Sequence, residues 1–347
     1  MTNSRTLVFD LDGVILSERG YWRVADATLR GLTGELGLDQ SEAGAGAALG
    51  LIPLAVIDGL KGRGVNSNWD LTEVMLTAIL TLGFERQPAE TQAAIAGARA
   101  DWAGQVSLWR AADWSGRDLE GLFAEFWIAL GARSGHAVPT AWVEFLERRC
   151  APIGQIAGRQ ALRAAAHTRF QLELHALAPK PETVVSRNAL RAALQAVSAA
   201  GWILGVATGR PRGEAINALD DLGLTDCFDP AHVVTFDEVA EAQRRMGSTP
   251  LGKPHPYCLL QAAYPQESAE TLCVAPWVER PWLVYVGDAG SDLGCAKAAG
   301  AQSWMVLTGC ADPDRAEDRR QLFQTQGATR VERDVLGCLE SLVGALT

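Results

Sequence analysis

The sequence predicts an α/β protein: a doubly wound parallel sheet, interrupted near its start by a long, mostly helical insertion. Three observations carry this. Short β-rich runs at TLVFD (6–10), WILGVAT (202–208), HVVTF (232–236), WLVYVG (282–287) and QSWMVL (302–307) have the apolar content of strands covered on both faces. Helical patterns lie between them, as at 188–201 and 213–223, each closing on a glycine that suits a helix stop. Strand and helix therefore alternate, which is how a parallel sheet is wound with helices. The third observation is a gap. One strand stands at the N-terminus and the others fall in the last half. Residues 16–184 between them are Ala- and Leu-rich with helical spacing, as in ADATLRGLTGEL (25–36) and LEGLFAEFWIALG (119–131), and hold seven of the 11 tryptophans. The sheet is thus expected from residues 1–15 and 185–347, with 16–184 a separate helical domain. Within that domain the glycine- and alanine-rich stretch 42–50 reads as a loop.

Composition narrows the function. With 347 residues, 48% of them hydrophobic and 21% charged, the chain can bury a substantial core. Thirty-one Lys and Arg against 41 Asp and Glu give a net charge of -10, which argues against nucleic acid or an anionic membrane as the main partner and for a small ligand. The seven scattered cysteines form no C-x-x-C pair and no zinc spacing, so they read as reduced thiols in a cytoplasmic protein. The opening apolar run is too short for a signal peptide, and no apolar stretch reaches the ~20 residues a spanning helix needs. Nothing in the sequence sets an oligomeric state.

The opening stretch LVFDLDGVI (7–15) puts Asp10 and Asp12 at the end of a strand that otherwise reads as buried, where an uncompensated carboxylate is costly. Ligands collect at the carboxyl ends of strands in such sheets, and Gly13 permits a sharp turn there. Alternation puts residues 10 and 12 on one side, so a cation or a proton must intervene between them; Mg2+ is the natural hard cation for such oxygens. Alone, the pair is also explained as a cap and a turn. The second strand ends in Thr208-Gly209-Arg210, where a hydroxyl and a flexible backbone can donate to an anion, although Thr-Gly is also an ordinary way out of a strand. In GKPHP (252–256), Pro254 disfavours a helical conformation at Lys253 and fixes its ammonium in a loop. The run VYVGDAGSD (284–292) repeats the opening device, with Asp288 and Asp292 four apart so that both can face one metal at a helix start. Each part is weak, and the ordered set is not.

Taken together, DLDGV (10–14), Thr208 in ATGR, Lys253 in GKPHP and GDAGSD (287–292) resemble the four motifs of the haloacid dehalogenase superfamily of phosphohydrolases. The resemblance implies a Rossmann-like core, an obligatory Mg2+ and a cap inserted between the first and second motifs; the insertion here is larger than the helical cap common in the group. It implies Asp10 as the nucleophile that takes the phosphoryl group, and Asp12 as the acid and base for leaving alcohol and attacking water. It implies Thr208, Gly209 and Lys253 around the phosphoryl oxygens. Asp10, Asp12 (through its carbonyl), Asp288 and Asp292 become the candidate metal set, with Asp292 alternatively orienting Lys253. Relatives that cleave carbon–halogen bonds lack the second aspartate and the metal, so Asp12 argues for phosphoryl transfer.

The expected function is hydrolysis of a small phosphorylated metabolite through an aspartyl-phosphate. A phosphomutase using the same intermediate is the alternative within catalysis, and an idle relative whose insertion docks a protein is the alternative outside it. The core motifs handle only the phosphoryl group, so discrimination among alcohols falls to the insertion. There the stretch KGRGVNSNWD (61–70) breaks the helical pattern and offers Arg63 and Asn66 as candidate substrate contacts. An ordinary interhelical loop, anchored by Trp69, explains the same stretch.

Overall fold

In the computed structural model, which describes residues 4–36, 48–65, 67–97, 118–131, 133, 137–153, 160–247 and 250–344, the chain divides into two units. One comprises Met1–Glu18 and Lys180–Thr347, the other Arg19–Pro179.

The first unit is built on a six-stranded sheet: β1 (Thr6–Phe9), β2 (Ile203–Ala207), β3 (Val233–Val234), β4 (Arg280–Gly287), β5 (Ala301–Val306) and β6 (Arg330–Glu332). Every pairing is parallel and the order is β3-β2-β1-β4-β5-β6. This is the doubly wound, Rossmann-like arrangement, with the strand order reversing beside β1. Alternation along β1 shows why the run is apolar throughout. Leu7 and Phe9 join one buried cluster with Leu190, Leu194 and Val197, while Val8 joins another with Leu259, Tyr285 and Cys295. Both faces are covered, so the strand is apolar from Leu7 to Phe9, and the buried Thr6 at its start satisfies its hydroxyl by donating to Ser4 O at 3.1 Å.

The helix Arg187–Ala199 buries Leu190, Leu194 and Val197, at a spacing that keeps all three on one stripe against the sheet. Leu194 is fully buried, and Leu194→Ala is expected to cost about 2–5 kcal/mol through the cavity it leaves. A urea melt checks this, with activity per folded molecule unchanged.

Two strands differ from expectation. HVVTF yields only the two residues Val233–Val234, because Thr235 turns into a helix start: its N–H donates to Glu238 Oε2 at 2.7 Å, a capping box for the helix Phe236–Met246. Strand β6 carries no apolar run, since its three residues are only half-buried at the sheet edge.

The second unit is mostly helical, with helices at Arg19–Glu35, Leu54–Gly62, Asn68–Glu85, Ala89–Gly97, Leu119–Leu130, Ala137–Arg149 and Gln160–Leu177. The tryptophans partly explain its core. Trp142 stacks on Phe123 at 5.1 Å and meets Phe126 edge-on at 4.8 Å, while its indole donates to Thr77 Oγ1 at 2.8 Å. The stretch 42–50, read as a loop, ends instead in a hairpin: Ala48–Leu49 pairs antiparallel with Ile52–Pro53. Its turn uses Gly50 at φ +61°, and Asp26 Oδ1 accepts from the Leu51 N–H at 2.6 Å. Residues 42–47 lie outside the described residues. All seven cysteines are free thiols. Among the described residues no helix is long and apolar enough to cross a membrane.

Candidate active site

Parallel register brings the site together. Phe9 is paired with Val206 on one side and Val286 on the other, so Asp10, Thr208 and Asp288 all emerge at the carboxyl edge of the sheet, where the strand order reverses. The Asp10 N–H donates to Val286 O at 2.9 Å and the Thr208 N–H to Val234 O at 3.0 Å, which carries both residues one step beyond the ladder.

Lys253 reaches into this edge from its loop. Its Nζ stands 3.0 Å from Asp10 Oδ2 and 2.9 Å from Asp292 Oδ1. The three side chains are nearly sealed from water, at 11%, 7% and 0% exposure for Lys253, Asp10 and Asp292. Burial alone would push the lysine down, but the two carboxylates facing it hold its ammonium well above the ordinary range. Asp10 Oδ1 accepts from the Leu11 N–H at 2.8 Å, which fixes the carboxylate plane.

Asp292 is tied on both sides. Its Oδ2 accepts from the N–H groups of Asp288 and Ala289, at 3.2 and 3.1 Å, at the start of the helix Gly290–Ala298. Its Oδ1 holds Lys253 and lies 3.2 Å from the Tyr285 hydroxyl, which also donates to Ala207 O at 3.0 Å. Asp292 thus bridges the start of that helix and the Lys253 ammonium. Asp288 is buried against two glycines: a Cβ would stand 2.3 Å from its Oδ2 at Gly13, which sits at φ +75°, and 1.7 Å at Gly309. Only glycine leaves this carboxylate room.

Asp12 behaves differently. It is partly exposed, and Arg210 grips it: Nε lies 2.8 Å from Oδ2 and 3.0 Å from Oδ1, with Nη2 also on Oδ1. Thr208 Oγ1 accepts from the Arg210 N–H at 3.2 Å, while Gly209 between them is exposed.

Asp10, Asp288 and Asp292 can each offer an oxygen such that all three lie within 4.8 Å of one another. Burial pushes the Asp10 carboxyl up from 3.8 to about 7; Lys253 opposes this, and the neighbouring charges of Asp292, Asp288 and Asp12 add to it. The cluster therefore brings three hard oxygen donors together, which fits a hard divalent cation such as Mg2+.

The structure thus joins Asp10, Lys253, Asp288 and Asp292 in one cluster and Asp12 with the Thr208 turn in a second pair. Arg63 belongs to the other unit, where its guanidinium lies 4.3 Å over the Trp127 ring and donates to Gly59 O at 3.0 Å. Asn66 lies outside the described residues. Trp69 is half-exposed and meets His167 edge-on at 4.1 Å. Four site residues escaped the sequence reading: Arg210, Tyr285, Thr308 (whose hydroxyl donates to Gly13 O at 2.5 Å) and Gly309. For Tyr285 a signal existed, since a tyrosine inside a buried strand needs a partner for its hydroxyl.

The sequence matches the family described as haloacid dehalogenase-like hydrolase over residues 5–300. No curated relative matches it. Among solved structures, an X-ray structure of a Northeast Structural Genomics Consortium target shares 21% identity, with 99% of each chain covered and a TM-score of 0.65. A structure described as a putative phosphoglycolate phosphatase from Lactobacillus delbrueckii subsp. bulgaricus shares 16% identity, with 99% of this chain and 100% of that one covered and a TM-score of 0.50. These likenesses show the fold. With the family match running from the first strand past the aspartates after β4, the chain belongs to the haloacid dehalogenase-like hydrolases.

Proposed function

We propose that this protein is a Mg2+-dependent phosphomonoesterase acting on a small phosphorylated metabolite through an aspartyl-phosphate at Asp10. The observation that carries the reading is the contrast between two carboxylates at the end of one strand. Asp10 is buried against Lys253 in a crowded acidic cluster, and Asp12 is partly exposed and held by Arg210. Unequal environments for paired carboxylates suit unequal roles.

In the first step an Asp10 oxygen bonds to phosphorus as the ester P–O bond breaks, and Asp12 gives its proton to the leaving alkoxide. In the second, water bonds to the same phosphorus while Asp12 takes its proton, and the bond to Asp10 breaks to return the carboxylate. Lys253 neutralises the equatorial oxygens during both transfers, with Asp292 holding its orientation. Thr208 and the Gly209 backbone donate to the same oxygens. Asp10, Asp288 and the Asp12 carbonyl would hold Mg2+, with Asp292 beside them; bound there, the ion supplies charge neutralisation between nucleophile and phosphate. The helical unit, 19–179, acts as the cap, and Arg63 and Asn66 are its proposed contacts with the alcohol portion of the substrate.

The test is phosphate release from a panel of phosphorylated metabolites, with Mg2+ and with EDTA. Turnover that EDTA abolishes and Mg2+ restores is expected for at least one small monoester. Absence of release across the panel and from a generic aryl phosphate overturns the reading.

A further inference from the structure

Acid–base work requires Asp12 to meet first a leaving oxygen and then a water, yet both of its carboxylate oxygens face one guanidinium. The Arg210 fork engages Oδ1 and Oδ2 together across 198 positions of sequence, and the pair is largely shielded, at 11% exposure for the arginine and 24% for the aspartate. A two-point contact of this kind fixes the plane of a carboxylate, which a point charge cannot do. Lys253 cannot substitute, because it is engaged with Asp10 and Asp292. Arg210 is itself anchored: its N–H donates to Thr208 Oγ1 at 3.2 Å, so the turn that ends β2 sets where the fork stands.

We propose that Arg210 is a positioning residue that sets the orientation of the Asp12 carboxylate, and that it governs proton transfer at the leaving and attacking oxygens rather than binding of the transferring phosphoryl group. The inference rests on the phosphomonoesterase reading. It separates the site into two halves. The Asp10, Lys253 and Asp292 cluster serves the phosphorus, and the Asp12–Arg210 pair serves the protons.

The separation is measurable with two substrates and the Mg2+-loaded full chain. Glycerol phosphate loses an alkoxide that needs a proton; p-nitrophenyl phosphate loses a phenolate that does not. Arg210→Gln is expected to lower kcat/KM for glycerol phosphate by at least about ten-fold, since general acid catalysis contributes about 10²–10⁴-fold and a misplaced acid forfeits part of it. For p-nitrophenyl phosphate kcat/KM should stay within about two-fold of wild type, and a burst of nitrophenol should precede slow turnover, because breakdown of the intermediate still needs Asp12. Inhibition by inorganic phosphate should be unchanged. Asp12→Asn should show the same split, and adding Arg210→Gln to it should cost little more, as expected for residues acting as one unit.

Arg210→Lys, which keeps the charge and loses the fork, guards against a folding defect and should show the same split. Equal losses on both substrates with weakened phosphate inhibition would make Arg210 a phosphate-binding group. No loss on either would make it structural. Either result overturns the assignment while the wild type remains an active phosphatase. A wild type without Mg2+-dependent release overturns the phosphomonoesterase reading, and this inference with it.

Discussion

Asp10→Asn is expected to reduce turnover by at least about 10³-fold while leaving the fold intact, since removing the nucleophile of a covalent mechanism forfeits the chemical step and only binding contributions survive. The amide keeps the shape of the carboxylate and can still accept from the Leu11 N–H, as Oδ1 does at 2.8 Å. Its effect on stability separates function from folding. In the metal-free protein the Asp10 carboxyl titrates at about 7 in the folded state against an ordinary 3.8, chiefly because it is buried. A carboxyl raised by folding favours the native state while protonated, and that contribution is lost as pH rises from about 4 through about 7. The variant has no such loss. Its stability relative to wild type should therefore improve across that interval in EDTA, as read from paired urea melts at several pH values. An inactive variant that is also uniformly destabilised would point to a structural role for Asp10.

Lys253→Met is expected to do the opposite, removing activity and stability together. The lysine lies between two buried carboxylates at 3.0 and 2.9 Å, so its loss leaves both charges uncompensated. Breaking a buried pair in this way costs about 3–5 kcal/mol, more than the lost methylene packing, which methionine largely restores. Tyr285 would lose the ammonium 5.3 Å from its ring and keep its hydrogen bond to Ala207 O. Activity should fall by at least about 10²-fold, because a preorganised cation at the developing charge is removed. Circular-dichroism melts in EDTA and phosphate release with Mg2+, measured at a temperature where the variant is folded, test the two effects separately.

The legible parts of this protein were those where burial on two faces dictates residue type. Strands β1, β2, β4 and β5 are covered by helices on both sides, so their apolar runs stand out against any background, and the aspartates that end two of them stand out in turn. Strand β3 is shorter than its apolar run because Val-Val-Thr-Phe has strand composition while Glu238, three residues after Thr235, caps a helix there. Strand β6 and the Ala48–Pro53 hairpin were silent because short, partly exposed pairings have no periodicity to read. The site followed the same logic. Residues contributed by strand ends are legible in order along the chain, whereas the role of Arg210 is not, although it adjoins Thr208, because its partner Asp12 lies far away in sequence. Thr308 and Gly309 were missed for the same reason: their role is to meet Gly13 and Asp288, a relation that only the register of β1, β4 and β5 creates.

The measurement that tests the central claim most directly is the location of the phosphoryl group during turnover. Asp12→Asn, loaded with Mg2+ and mixed with p-nitrophenyl phosphate, should form the intermediate at a normal rate and break it down slowly, so acid quenching and peptide mapping by mass spectrometry can capture it. A single phosphoryl group on Asp10, appearing in step with the nitrophenol burst and absent from Asp10→Asn, is the result predicted here. Nitrophenol released over repeated turnovers with Asp10 unmodified at every quench time would mean that water attacks phosphorus directly, and would contradict the covalent account.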